Sequence, residues 1–111
     1  MTVQLACLAQ DVPVEGTYRV ELEDDTGKIV EVAIVRDSDG DLHAISDICS
    51  HGAVSLSEGE VEGCFIECWL HGSRFDVRTG QPDSPPAVRP IPVYPLTLDG
   101  DRVLVDVDTT V

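Results

Sequence analysis

The chain has few basic residues. Lysine and arginine number 7 against 21 aspartates and glutamates, which gives a formal net charge of −14 at pH 7. Such a charge repels nucleic acid and anionic membrane surfaces, and it favours soluble protein partners with basic or dipolar surfaces. We therefore expect neither nucleic-acid binding nor membrane association.

Long apolar runs are also missing. No stretch approaches the ~20 apolar residues that a membrane span requires. Residues 1–10 hold no basic residue and only one short apolar run, a pattern that does not make a signal peptide. These features predict a cytoplasmic protein, in which the four cysteines would serve metal or redox chemistry before disulfides.

Aromatic residues are scarce, at 5%, although 42% of the chain is hydrophobic. The core must therefore consist mostly of Val, Leu, Ile and Ala, a bias that favours strands. The 111 residues are predicted to form one domain of all-β class without a convincing helix. Strands are predicted over residues 3–8, 18–22, 28–36, 42–45, 64–68, 73–77, 92–98 and 102–107. In the predicted hairpin, the residues expected in the core are Ile29, Val32, Ile34 and Val35.

Four candidate metal ligands stand in two short pairs, Cys49-Ser50-His51 and Cys68-Trp69-Leu70-His71, with a glycine after each histidine. Each pair contributes one thiolate and one imidazole. In a Rieske [2Fe–2S] centre two Cys hold one iron and two His hold the other. Two loops that each supply one Cys and one His suit that division.

Two other interpretations use the same residues. A closed structural zinc site takes the same donors, although a C-x-H start is unusual there. A Cys49–Cys68 disulfide would leave the paired His-Gly steps unexplained. The remaining cysteines, Cys7 and Cys64, lie in predicted strands and are expected to be small buried hydrophobes. His43 is assigned to the surface or to packing, and residues 37–41 to a solvated acidic turn rather than a calcium site.

The segment C-S-H-G … C-W-L-H-G-S-R-F-D resembles the Rieske signature, and the likeness extends over nearly the whole chain. The sequence is similar to the small bacterial Rieske-type ferredoxins that serve ring-hydroxylating oxygenases. This resemblance implies a Rieske-type fold in which an antiparallel β base domain (residues 1–46 and 89–111) carries an inserted cluster-binding subdomain (residues 47–88). It also implies one [2Fe–2S] cluster held by the ligands Cys49, His51, Cys68 and His71.

Departures from other members of the family indicate a low reduction potential. The resemblance matches Val54 and Leu70 to the positions at which the respiratory-complex proteins carry an extra disulfide, which is therefore expected to be absent here. Ser73 is kept as a hydrogen-bond donor, but Phe75 stands where high-potential members have tyrosine. Fewer donors stabilise the reduced state less, so the potential is expected near the low end of the Rieske range, about −150 mV.

The resemblance implies an electron carrier and not an enzyme, because the sequence shows no nucleophile–base pair or second metal triad. Its implied partners are a flavin-dependent NAD(P)H reductase and a terminal non-haem iron oxygenase. The alternatives are a small subunit of a nitrite reductase or another redox pathway, and a zinc-stabilised interaction module. Partners are expected to dock over the histidine loops, at Ser50, Trp69 and Pro85-Pro86, with Trp69 either an interface anchor or a buried packing residue.

Overall fold

The computed structural model describes residues 3–48, 55–69, 73–83 and 90–110. Within these ranges the chain forms ten strands in three antiparallel sheets, which confirms the predicted all-β class. The strands are β1 (Gln4–Leu8), β2 (Gly16–Glu23), β3 (Ile29–Arg36), β4 (Leu42–Ser46), β5 (Glu60–Glu62), β6 (Phe65–Glu67), β7 (Arg74–Asp76), β8 (Val93–Tyr94), β9 (Leu96–Asp99) and β10 (Arg102–Val105).

The hairpin of β2 and β3 is the longest paired unit. Its turn is held by Asp24, whose Oδ1 accepts the N–H groups of Thr26 and Lys28, each at 2.9 Å. Gly27 adopts φ +85°, a left-handed conformation that L side chains rarely take. The predicted hairpin is therefore confirmed, with the turn chemistry that its Asp and Gly residues indicate.

The central sheet, in the order β2-β3-β4-β8, is buried on both faces. Val32 and Ile34 belong to one apolar core, while Ala33 and Val35 belong to the other, and all four are fully buried. Successive strand residues point to opposite faces, so this apolar run of β3 supplies both cores at once.

The two outer sheets complete these cores. The sheet β1-β10-β9 packs on one side through residues such as Val103 and Val105. The sheet β5-β6-β7 packs on the other side through Ile66 and Phe75. The small sheet β5-β6-β7 thus packs on one face of the central sheet, opposite the sheet β1-β10-β9, and it leads into the second candidate ligand loop.

Three details of the strand assignment were wrong. Ile29, predicted in the core, is 50% exposed because it is the first residue of β3 and pairs with Glu23 at the end of the hairpin. Residues 60–62 form a strand that the sequence did not indicate, since only Val61 among them is apolar. The strand predicted over 92–98 is two strands, β8 and β9, separated at Pro95, where proline cannot donate to the ladder.

The acidic turn at residues 37–41 is less solvated than predicted, since Asp37 is only 3% exposed. Its Oδ1 accepts the N–H groups of Asp39 (2.9 Å) and Asp41 (3.0 Å), and its Oδ2 lies 2.8 Å from Nε2 of His43. Two backbone N–H groups of the turn and the His43 ring therefore complete the hydrogen bonding of the Asp37 carboxylate. His43 packs against this turn, which is one of the two roles predicted for it.

Two short 3-10 turns, at Ala9–Asp11 and Leu56–Glu58, are the helical elements of the described ranges. In that part of the chain no helix is long and apolar enough to cross a membrane.

Candidate metal centre

One of the four predicted ligands, Cys68, lies within the described residues. It follows directly after β6, is fully buried, and belongs to the same apolar core as Ile66 and Phe75. The other three predicted ligands, Cys49, His51 and His71, lie outside the described residues, as do Ser50, Val54, Leu70 and Pro85-Pro86.

The first ligand loop has a closed base. A β-bridge pairs Ile48 with Ser55, and the N–H of Leu56 donates to the carbonyl of Asp47 at 2.6 Å. The described residues on either side of segment 49–54, which includes two predicted ligands, are therefore paired with each other.

The second ligand loop is closed by the backbone of a predicted ligand. The N–H of Cys68 donates to the carbonyl of Ser73 at 2.7 Å. This bond continues the ladder of β6 and β7, in which Glu67 pairs with Arg74 and Ile66 with Phe75. The hairpin thus brings residues 68 and 73 together at the ends of its strands.

The two loop bases meet in one core. Leu56, at the end of the first loop, and Cys68, at the start of the second, are both fully buried members of the core that also contains Phe75. Sequence spacing predicted two ligand pairs, and the fold places the end of the first loop and the start of the second in the same core.

Ser73 and Phe75 are both fully buried beside the second loop. Phe75 occupies the core next to the Cys68 position and carries no hydroxyl there. The structure therefore places Ser73 and Phe75, the two residues expected from the sequence to influence the potential, at the base of the second candidate ligand loop.

A buried acid at the first loop was missed from the sequence. Asp47 is fully buried, and its Oδ2 lies 3.2 Å from Nε of Arg19 while its Oδ1 accepts the N–H of Ser57 at 2.8 Å. The Arg19 guanidinium also pairs with Glu31 and, at 3.7 Å, with Glu21. The hydrogen bond to Glu31 is the main cause that raises the pKa of Arg19. The sequence signal for Asp47 was an acid two residues before the predicted ligand Cys49.

Trp69 follows Cys68 and is 53% exposed, so the buried-packing alternative for this residue is wrong. It lines a groove of about 300 Å³ together with Gly59 and three acids, Glu58, Glu60 and Glu67.

Glu60 and Glu67 stand directly opposite each other on β5 and β6, a like-charge pair that costs stability. The other cross-strand neighbour of Glu67, Arg74, places its guanidinium 4.6 Å from the centre of the Phe65 ring.

The donor set fits an iron–sulfur cluster of Rieske type. Two thiols and two imidazoles supply the division of ligands that such a centre needs. Cys68 is a free thiol, which does not fit the Cys49–Cys68 disulfide alternative. Within the described ranges no group of three or more His, Cys, Asp or Glu side chains makes another metal site.

The other two cysteines are placed as small hydrophobes. Cys7 is buried in the base core, and burial, together with the charge of Asp11, raises the pKa of its thiol to about 11. Cys64 is partly buried against the other core. A thiol that stays protonated at neutral pH is a poor metal ligand, which agrees with the assignment of Cys7 to packing.

Comparison with known proteins identifies the family. The model of the Rieske [2Fe-2S] domain matches residues 2–95. The biphenyl dioxygenase ferredoxin subunit of Pseudomonas sp. (strain KKS102) is 40% identical over 107 residues, which are 96% of this chain and 93% of the relative.

Solved structures of ferredoxins resemble this fold over nearly their full length. A ferredoxin of Sphingomonas yanoikuyae B1 superposes with a TM-score of 0.85 at 30% identity, over 95% of this chain and 98% of its own. A chain in the complex of reduced oxygenase and oxidised ferredoxin of carbazole 1,9a-dioxygenase superposes with a TM-score of 0.81 at 34% identity, over 94% and 92%. The protein therefore belongs to the Rieske [2Fe–2S] domain family, and within it to the ferredoxins that carry electrons in ring-hydroxylating dioxygenase systems.

Proposed function

We propose that this protein takes one electron at a time from a flavin-dependent NAD(P)H reductase and delivers it to a terminal non-haem iron oxygenase. The observation that carries the proposal is the meeting of two closed loop bases in one buried core, with Cys68 at the start of the second loop. The likeness to ferredoxin components over nearly the full chain supports it.

Cys49 and Cys68 are the proposed thiolate ligands, and His51 and His71 the proposed imidazole ligands. When bound, the cluster supplies reversible one-electron chemistry. The protein would supply the apolar environment and the backbone hydrogen bond at Cys68. Cys68 is shielded from water by the apolar side chains around it, and the backbone bond to Ser73 fixes its position. The fully buried Phe75 offers no hydroxyl donor, which supports a potential near the low end of the Rieske range, about −150 mV.

The chain divides, in this proposal, into a base domain of residues 1–46 and 89–111 and a cluster-binding subdomain of residues 47–88. The distribution of the sheets supports the division, because β5, β6 and β7 pair with one another and with no other strand of the described ranges. The boundary at residues 88 and 89 lies outside the described residues.

Partners are proposed to dock over the ligand loops, with the exposed Trp69 as an anchor. The acids of its groove, Glu58, Glu60 and Glu67, fit a basic surface on the reductase or the oxygenase. Residues 47–89 hold seven acids and three bases, a net −4, whereas the rest of the chain holds fourteen and four, a net −10. The ligand loops therefore lie in the less negative part of the chain, and in this proposal the groove acids attract the basic partner surface locally. The protein would act in the cytoplasm without a membrane or nucleic acid.

The test starts with the purified protein as expressed. We expect red-brown protein with two iron and two acid-labile sulfide per chain, reduced by an NAD(P)H reductase of a ring-hydroxylating system and reoxidised by its oxygenase in stopped-flow mixing. Colourless protein with one zinc would favour the interaction-module alternative. A cluster that exchanges electrons only with a nitrite reductase would favour the other alternative.

A further inference from the structure

A buried carboxylate joins the central sheet to the base of the first ligand loop. Asp47 is fully buried, whereas the side chain of Arg19, its partner on β2, is 40% exposed. The hydroxyl of Ser55 and the N–H of Ser57 complete the hydrogen bonding of the carboxylate. Desolvation of an ionised carboxylate costs several kcal/mol unless such partners compensate it. Loss of any one partner would therefore leave the carboxylate less well compensated.

The backbone of Asp47 joins the same two parts of the molecule. Its N–H donates to the carbonyl of Glu31 on β3 at 3.0 Å, and its carbonyl accepts from Leu56 at 2.6 Å. Side chain and backbone together tie residue 47 to residues 55–57. The residues that flank segment 49–54 are therefore joined through one anchored residue, and Cys49 follows that residue by two positions in the sequence.

We infer that Asp47 is a positioning residue for the first ligand loop, and that the Arg19–Asp47 pair tunes the reduction potential of the cluster. The inference rests on the proposed function, because it takes Cys49 and His51 as ligands. A nearby negative charge disfavours an added electron, while the cation of Arg19 opposes that effect. Since Arg19 is partly exposed and Asp47 is not, water screens the cation more than the carboxylate.

This inference differs from a role in stability alone. A purely structural pair would lower the melting temperature when either member is replaced, and it would not change the potential in opposite directions. Charge tuning predicts that loss of the carboxylate raises the potential and that loss of the cation lowers it. The sign of the two shifts therefore separates the two roles.

The experiment compares three variants as cluster-loaded protein: Asp47→Asn, Arg19→Met and, as control, Asp37→Asn. Asp37 is a matched carboxylate, because it is equally buried and accepts two backbone N–H groups and one side chain, but it lies on the turn that contacts Gly63. We expect a higher midpoint potential in Asp47→Asn with altered g values of the reduced cluster, a lower potential in Arg19→Met, and neither change in Asp37→Asn.

Two outcomes would overturn the inference: equal potentials in Asp47→Asn and wild type, or a shift in Asp37→Asn as large as that in Asp47→Asn. If Asp47→Asn does not fold, Ser55→Ala removes one donor to the carboxylate and should lower the potential, as Arg19→Met does. No shift in either of these variants would also overturn it.

Failure of the proposed function would look different, because the wild-type chain would then hold no iron–sulfur cluster. The positioning role would still be decided by hydrogen exchange on that chain. Asp47→Asn should reduce protection of the Leu56 and Ser57 amides several-fold, whereas Asp37→Asn should leave them unchanged. Equal protection in Asp47→Asn and wild type would refute the positioning role.

Discussion

The backbone N–H of Cys68 donates to the carbonyl of Ser73 at 2.7 Å, and both residues are fully buried. The bond involves no side-chain atom of either residue. Replacement of the Ser73 hydroxyl or of the Cys68 thiol therefore leaves the base of the second loop in place. Each side chain can be tested for its own effect on the metal centre.

Ser73→Ala should lower the midpoint potential, and Phe75→Tyr should raise it if the new hydroxyl reaches a ligand sulfur. A donor to sulfur stabilises the reduced, more negative state more than the oxidised one. A hydrogen bond to a charged group contributes about 1.5–3 kcal/mol, and a tenfold change corresponds to 59 mV for one electron, so each shift should be at most about 65–130 mV. Voltammetry measures both shifts. An unchanged potential in Ser73→Ala would show that its hydroxyl points elsewhere.

Cys68→Ala should abolish the cluster, because it removes one of two thiolates. The controls are Cys7→Ser and Cys64→Ser, which should retain full iron and the wild-type visible spectrum. Cys7→Ser should cost about 1–2 kcal/mol of unfolding free energy, because it puts a hydroxyl in the apolar base core. Iron and sulfide analysis decides the matter. A wild-type spectrum in Cys68→Ala would defeat the ligand assignment.

Trp69→Ala should slow reduction by the reductase about tenfold or more at subsaturating concentrations, the cost of about 1.4 kcal/mol or more that a lost aromatic anchor brings. Rates should also fall with added salt, since exposed charges are screened beyond about 10 Å at 0.1 M. The matched control is Leu98→Ala on β9, because Leu98 is 52% exposed and Trp69 53%. Equal rates in Trp69→Ala and Leu98→Ala would show that partners dock away from the ligand loops.

Gly80→Ala should destabilise the protein much more than Gly100→Ala. Both glycines have positive φ, +80° and +65°, so each alanine carries a backbone cost of about 1–2 kcal/mol. A Cβ at Gly80 would also lie 2.0 Å from the Ile91 carbonyl oxygen, whereas a Cβ at Gly100 meets nothing within 4 Å. We expect about 1–3 kcal/mol of additional loss at Gly80 by urea denaturation. Similar losses in the two variants would contradict this close approach.

Asp37→Asn should lower stability at neutral pH, and its difference from wild type should shrink in acid. Burial of Asp37 opposes ionisation, but hydrogen bonds from His43 and from the amides of Asp41 and Asp39 outweigh burial and lower the pKa of the carboxyl. A group whose pKa is lower in the folded state stabilises above its unfolded pKa, about 3.9, and this contribution is lost as pH falls through the folded value. Unfolding at pH 7 and below pH 4 tests this. A constant difference would contradict the assignment.

Local spacing predicted four candidate ligands, of which the structure describes Cys68, so the ligand set stays a prediction. The intervals within Cys49–His51 and Cys68–His71 depend only on neighbouring residues, and the turn residues Asp24 and Gly27 likewise mark their hairpin. The family signature then supplied the fold. Apolar patterning could not supply β5, since a three-residue strand with one apolar side chain gives no periodicity.

Contacts between residues distant in the sequence could not be predicted from local patterns. Arg19 and Asp47 are 28 residues apart, and neither local propensity nor periodicity pairs an exposed strand residue with a buried loop acid. The exposure of Ile29 was missed for a similar reason. Its hydrophobic side chain predicts burial, but burial also depends on how far the neighbouring sheets extend over the hairpin. Ile29 is 50% exposed.

The pairing of β1 with β10 has a consequence for the order of folding. Gln4 pairs with Val105, so the first strand finds its partner only after the last strand has been synthesised. The strands β5, β6 and β7 lie within residues 60–76 and need no distant partner. Because loop closure makes distant pairing slow, we expect the small sheet to form early and the base sheet to close last. A ribosome-bound chain halted before residue 102 should therefore leave β1 unpaired.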